Sequence, residues 1–338
     1  MASPLGLLFL VLRVVGAVTR RHPWVGPLVA VVLVYLVFAA LSPETFARPQ
    51  NLSTMARQTV VVGIAAAGMT MVMAMGGVDL SVGSSVALTT VIIALALRAG
   101  VGAFAAALAG IGVAVAASVV TGLLVTKLRI TPFIATLGGM SILRGAAKGF
   151  AGEQKIDADP RGLDALVAPT HPSWMLVPPS VWALGVTALL AAGLLRYTRL
   201  GRHLLAVGSN EAAALLCGVR VHGVKIAVYA IAAAFAGLAG VMEFATLTVG
   251  DPTDSVGLEL EVIASVVIGG GSLTGGKGSV LGSLFGASLM TVIRTGCTHA
   301  GLPSWVQEVV TGTIIVQAVA LDVWRLATKV RAAPRPTT

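Results

Sequence analysis

Two carboxylates inside long apolar stretches are the first places in this chain where chemistry could occur. Asp79 stands in Met75-Gly-Gly-Val-Asp-Leu-Ser-Val-Gly-Ser-Ser-Val86, and the flanking runs Thr59–Met75 and Leu80–Leu97 carry no charge apart from it. Glu243 lies three residues after Gly240 in another apolar run. A carboxylate at membrane depth costs about 3 kcal/mol even on the mildest scales, so it faces a bundle interior, a cavity or a partner. Gly76 and Gly77 allow backbone that a regular helix does not use, and broken helices in membranes survive where protein or a cavity covers them. Gly76, Gly77, Asp79, Ser81 and Glu243 are therefore candidates for a translocation path. A second reading stands beside the first: Asp79 caps the helix that follows a tight turn, and Glu243 bonds a neighbouring helix or snorkels toward the external face.

Other motifs lead away from catalysis. Gly271, Gly276 and Lys277 fit most of the phosphate loop G-x-x-x-x-G-K-[ST], but Gly278 occupies the hydroxyl position and Ser279 comes one residue late. The segment before them is apolar and membrane-like, so Gly269–Ser279 reads as a glycine-rich break. His22, His171, His203, His222 and His299 fall in loops or at span ends, with no metal-ligand spacing. Ser81, Ser84 and Ser85 lack a base in readable register. The sequence thus predicts no catalytic residue, no metal and no cofactor bound by this chain. Cys217 and Cys297 fall near opposite membrane faces, which argues against a disulfide.

The elements that carry these residues must be membrane helices. Charged residues make up 11% of the chain, against roughly 25% in soluble domains. Mean hydropathy is +0.92, and apolar runs reach about 18 residues or more. The fold class is an all-α polytopic membrane protein. A β-barrel would need alternating segments of about ten residues, which are absent. The net charge of +9 lies in short stretches between apolar runs, and aromatics are 5%, so nucleic-acid binding is excluded.

About ten transmembrane segments are predicted: Trp24–Leu41, Thr59–Met75, Leu80–Leu97, Gly102–Val125, Pro132–Ala147, Pro178–Leu195, Ile226–Leu247, Leu260–Gly270, Ser279–Cys297 and Pro303–Leu321. The eighth is too short to span as a helix. Gly278, Gly282 and Gly286, like Gly102, Ala106 and Gly110, recur every four residues and suit close helix packing. Arg144, Lys148 and Arg294 sit near span ends and read as snorkelling. Residues 1–22 form a cytoplasmic or interfacial N-terminus, read as an interfacial helix instead of a secretory signal; 23–322 form the transmembrane domain and 323–338 a cytoplasmic tail.

Positive charge sets the orientation. With both termini cytoplasmic, the inner side receives Arg13, Arg20, Arg21, Lys127, Arg129, Arg196, Arg199, Arg202, Arg220, Lys225, Lys277, Arg325, Lys329, Arg331 and Arg335, fifteen of the 23 basic residues. The opposite side receives Asp157, Asp159 and Asp164 in one loop, and Asp251, Asp254, Glu259 and Glu261 in another. Gly149–Val177 reads as an external loop or re-entrant flap. The basic stretch 196–225 reads as a cytoplasmic connection whose centre, Glu211–Leu216, is helix-prone and ends at Gly218. This topology sets the Gly76–Ser84 break toward the cytoplasmic end of its helix pair.

Six segments together resemble the ribose-type sugar permeases of bacterial ABC importers. They are Gly76–Ser84, Ile130-Thr-Pro-Phe-Ile-Ala-Thr-Leu-Gly138, Gly208-Ser-Asn-Glu-Ala-Ala213 with Gly218, Ala236-Gly-Leu-Ala-Gly240, Glu259-Leu-Glu-Val-Ile-Ala264 and Val267–Gly278. The resemblance runs from about Asn51 to Arg325. It implies a bacterial inner-membrane permease that imports a monosaccharide by alternating access. It also implies a second permease subunit, a cytoplasmic ABC ATPase holding ATP and magnesium, and an extracytoplasmic sugar-binding protein. Asn210, Glu211, Ala212, Ala213 and Gly218 match the segment that couples permease to ATPase, although Cys217 stands where serine is expected. Alternatives are a branched-chain amino acid permease, a secondary transporter using Asp79 and Glu243 as ion sites, and an intramembrane enzyme.

Overall fold

The uncharged run Thr59–Ala74, rich in alanine, methionine and valine, has no polar face to offer water. A helix that is apolar all round is buried all round. In the computed structural model, which describes residues 24–168 and 177–332 with side chains to 320, this run is the axis of the bundle. It belongs to α3 (Pro49–Ala74). Around it come α1 (Val25–Leu41), α2 (Pro43–Phe46), α4 (Val82–Arg98), α5 (Ala103–Lys127), α6 (Pro132–Ala151), α7 (Pro179–Tyr197), α8 (Arg199–Ser209), α9 (Glu211–Leu216), α10 (Val221–Leu247), α11 (Leu258–Ile268), α12 (Val280–His299) and α13 (Ser304–Ala332). Two short strands, β1 (Ile156–Asp157) and β2 (Val249–Gly250), pair antiparallel with Ile156 opposite Gly250.

A helix falls on each of the ten predicted segments. Among the described residues α3, α5, α7, α10 and α12 are long and apolar enough to cross a membrane, while α1 and α4 are apolar but 17 residues long. The eighth segment is α11, eleven residues long, which packs along α12. The predicted N-terminal interfacial helix and the end of the tail lie outside the described residues, as does the stretch 169–176 of the long loop.

Close packing explains the glycine spacing. At Gly282 and Gly286 a Cβ would strike the carbonyls of Gly269 and Ser265, so α11 and α12 touch backbone to backbone. Gly110 meets Thr89 and Ile93 of α4, whereas Gly102 has open space beside it. Thr70 bonds within its helix and across to another: its Oγ1 lies 2.6 Å from Ala66 O and 2.7 Å from Ser283 Oγ of α12. The outer helices differ sharply from the axis. Over its most apolar window α7 is 17% buried, against 83% for α3, so α7 faces the bilayer or another subunit.

Candidate functional site

The break after α3 is built by glycine. Gly76 adopts φ +87°, a left-handed conformation that favours glycine. The Gly76 amide donates to Met73 O at 2.9 Å and the Gly77 amide to Val72 O at 3.0 Å, closing the helix in a Schellman motif. The chain then runs inward. Gly77 lies against the buried Tyr229 of α10, Val78 O accepts from Thr136 Oγ1 at 3.3 Å, and Ser81 reaches Gly139 of α6. Asp79 is 4% exposed, and its Oδ1 accepts from the Ser81 amide at 2.9 Å and the Ser81 hydroxyl at 2.6 Å. Since Ser81 is the N-cap of α4, Asp79 shapes the entry turn from two residues upstream.

At the base of this break three glycine-bearing turns meet. The Gly276 amide donates to Ala74 O, the last residue of α3, at 2.8 Å. Gly208 of α8 lies against the same carbonyl, where a Cβ would strike it. A Cβ on Gly275 would come within 2.6 Å of Gly208 O and 2.9 Å of Gly76 Cα. The end of α3, the end of α8 and the loop before α12 are thus locked together.

The predicted coupling residues continue directly from α8. Asn210 Oδ1 accepts from the Ala213 amide at 2.9 Å and caps α9. Gly218, at φ +80°, ends α9 with its amide on Leu215 O and the Val219 amide on Ala214 O, each at 3.0 Å. Glu211 accepts from Lys225 Nζ of α10 through both oxygens at 2.8 Å. Ala212 and Ala213 are exposed, and Leu216 is 89% exposed, so α9 presents an apolar tip beyond the bundle. Sequence reasoning missed α8. Its signal was an amphipathic repeat: Leu204 and Val207 are buried while Arg199, Arg202 and His203 are exposed.

Glu243 belongs to a different place. It lies fourteen residues beyond Tyr229 on α10, about 21 Å along the axis, so it and Asp79 do not form one ion site. Glu243 lines a cavity of about 910 Å³ with Arg57, Gln58, Asp254, Glu261 and Arg294. Two expected snorkelling residues are bonded instead. Arg294 pairs with Glu261 of α11 at 3.3 Å, and Arg144 Nη1 donates to Pro252 O at 3.0 Å and Asp254 O at 2.5 Å. The loop after β2 folds back into the bundle, and its unpaired carbonyls require donors there. Lys148 is exposed, as expected.

An ion pair latches the rim of this cavity. Lys155 Nζ lies 3.0 Å from Asp251 Oδ2, next to the β1–β2 pair. Burial tends to raise the Asp251 carboxyl. The Thr253 hydroxyl and amide and the Lys155 ammonium more than offset it, holding the group below the ordinary 3.8. The hydrogen bond to Asp251 holds Lys155 above its ordinary 10.5. No group of three or more His, Cys, Asp or Glu among the described residues is placed to hold a metal ion.

A buried axis with a glycine break, a projecting helix at one end and a polar cavity at the other define a polytopic α-helical membrane protein. The family model described as "Branched-chain amino acid transport system / permease component" matches residues 51–319. The chain belongs to that family. It is 38% identical over 301 residues to the ribose import permease of Escherichia coli K12, covering 87% of this chain and 92% of that one. The ribose import permease of Bacillus subtilis is 35% identical, with 88% and 92% covered. An L-arabinose ABC transporter permease of Azospirillum brasilense is 34% identical, with 87% of each chain covered. No solved structure matches.

Proposed function

We propose that this chain is the membrane subunit of an ATP-driven importer, passing a monosaccharide delivered by an extracytoplasmic binding protein. The observation that carries the reading is the similarity, over almost nine-tenths of the chain, to permeases named for ribose and arabinose import. In this reading ATP and magnesium are held by a separate cytoplasmic ATPase, and the chain itself does no covalent chemistry. A second permease subunit completes the pore. Ten passes with both termini cytoplasmic set the basic end, with α8 and α9, on the cytoplasmic side.

The mechanism follows from the contacts at that end. Helix α9 seats in the ATPase, which grips its exposed tip. Closure of the ATPase pushes α8, and α8 bears on Ala74 and Gly276 through Gly208. Backbone contacts do not compress, so the push reaches the Gly76–Ser81 break and α12 together. The break re-aims α4 beside α6, exchanging access between the two sides.

The family's description supports a branched-chain amino acid as the second substrate class. Uptake into proteoliposomes holding permease, ATPase and binding protein separates the readings. We expect ATP-dependent uptake of ribose or arabinose that is insensitive to ionophores. Uptake of leucine in place of sugars would favour the second class. Uptake without ATP that collapses with an ion gradient would replace both with secondary transport.

A further inference from the structure

Helix α7 stands away from two of its neighbours. It packs chiefly on α3 and α8, whereas α5 and α10 pack chiefly on each other. The groove left between them has a volume of about 610 Å³ and is walled by Ile111, Leu190, Leu194, Ile231, Phe235 and Leu238. Thr198, at one end, is its sole polar side chain. That hydroxyl is already satisfied, donating to Leu194 O at 2.6 Å and accepting from the Gly201 amide at 3.0 Å. An occupant therefore finds apolar contact and no free hydrogen-bonding group.

Dimensions narrow the occupant. From Leu189 to Thr198 the helix rises about 13 Å, roughly half the ~30 Å hydrocarbon core, which is the depth of one leaflet. A groove of that length with apolar walls matches one extended acyl chain lying in a single leaflet. The Thr198 end is flanked by Arg196, Arg199 and Arg202, all exposed, and Tyr197 is 75% exposed at the same level. Tyrosine at an interface and a cluster of arginines mark headgroup depth.

We infer that this groove seats an acyl chain of an anionic phospholipid, with Arg196, Arg199 and Arg202 holding its phosphate-bearing headgroup. An apolar cleft inside a bilayer excludes water, and its walls lose dispersion contacts unless a chain fills it. The arginines then select the headgroup, and even one of them engaged favours an anionic over a zwitterionic lipid about fivefold.

Native mass spectrometry of the full-length permease, released from nanodiscs of phosphatidylcholine and phosphatidylglycerol in equal parts, tests this. We expect retained phosphatidylglycerol to exceed phosphatidylcholine by about fivefold or more. The triple variant Arg196→Gln/Arg199→Gln/Arg202→Gln should bring the two lipids near parity. Gly193→Trp, which fills the groove, should remove the retained lipid of both kinds. Equal retention of both lipids by the unaltered protein would overturn the proposal, as would a preference unchanged in the triple variant. Should Gly193→Trp fail to fold, the triple variant, altered on exposed surface alone, still decides. Disulfide cross-linking between copies carrying Leu190→Cys together with Cys217→Ser would seat a second copy there and also overturn it.

Discussion

The amide of Gly276 donates to the carbonyl of Ala74 at 2.8 Å, tying the loop before α12 to the last residue of α3. Gly208 presses on that carbonyl from α8, so one oxygen is shared between a hydrogen bond and a helix contact. Substituting alanine at Gly208 forces the three turns apart. Overpacking of this kind costs about 1–3 kcal/mol. We expect Gly208→Ala to lower the thermal midpoint and reduce uptake several-fold while the ATPase still co-purifies. Loss of ATPase binding with an unchanged midpoint would place the residue in the docking surface instead.

The turn at Asp79 distinguishes a structural carboxylate from an ion-binding one. Asparagine keeps an oxygen to accept from the Ser81 amide and hydroxyl; alanine leaves both donors buried without it. A buried donor left without its acceptor costs about 1–3 kcal/mol. Asp79→Asn should therefore retain most uptake, and Asp79→Ala should lose most of it together with stability. Abolition of uptake by Asp79→Asn in a well-folded protein would show that the charge itself is required.

Glu211 both holds Lys225 and stands on the projecting helix. The pair is partly exposed, so breaking it shifts stability by about 1 kcal/mol at most. Glu211→Arg should reduce uptake and ATPase association several-fold while membrane insertion, followed by fractionation, stays intact. Combining it with Lys225→Glu restores the ion pair in reverse. Recovery of stability without recovery of ATPase association would assign Glu211 to the docking surface; recovery of both would reduce it to a brace.

The latch between Lys155 and Asp251 has a defined pH window. Asp251 is depressed, so its contribution is complete above the ordinary 3.8 and is lost as pH falls through the folded value. Lys155 is raised, so its contribution is complete below the ordinary 10.5 and is lost as pH rises through the folded value. Hydrogen-exchange protection at Ile156 and Gly250 should be flat across neutral pH and fall in strong acid. Lys155→Met should reduce it by roughly 1.5- to fivefold, given the exposure of the pair. Unchanged protection in that variant would mean that the strand pairing holds the rim without the latch.

Much of the bundle was legible because membrane burial demands long apolar runs, and each predicted segment holds a helix. The ends of helices were legible where glycine decides them, as at Gly76 and Gly218, since few other residues adopt a left-handed turn. Helix α8 was not, because its arginines gave the stretch the composition of a surface loop. The bonds of Arg144 and Arg294 were hidden for another reason: both partners lie more than thirty residues away, and span-end position alone suggests snorkelling.

By itself the sequence determined the class, the order of the apolar helices, the family and the local turns at Asp79 and Gly218, because these depend on hydropathy and on neighbours within a few residues. Tertiary structure decided what those pieces touch. It separated Glu243 from Asp79 by about 21 Å along α10, set Gly208 against Ala74, and opened a groove beside α7. Such contacts join segments far apart in the chain, and they follow from how backbones and side chains fill space once the helices are packed.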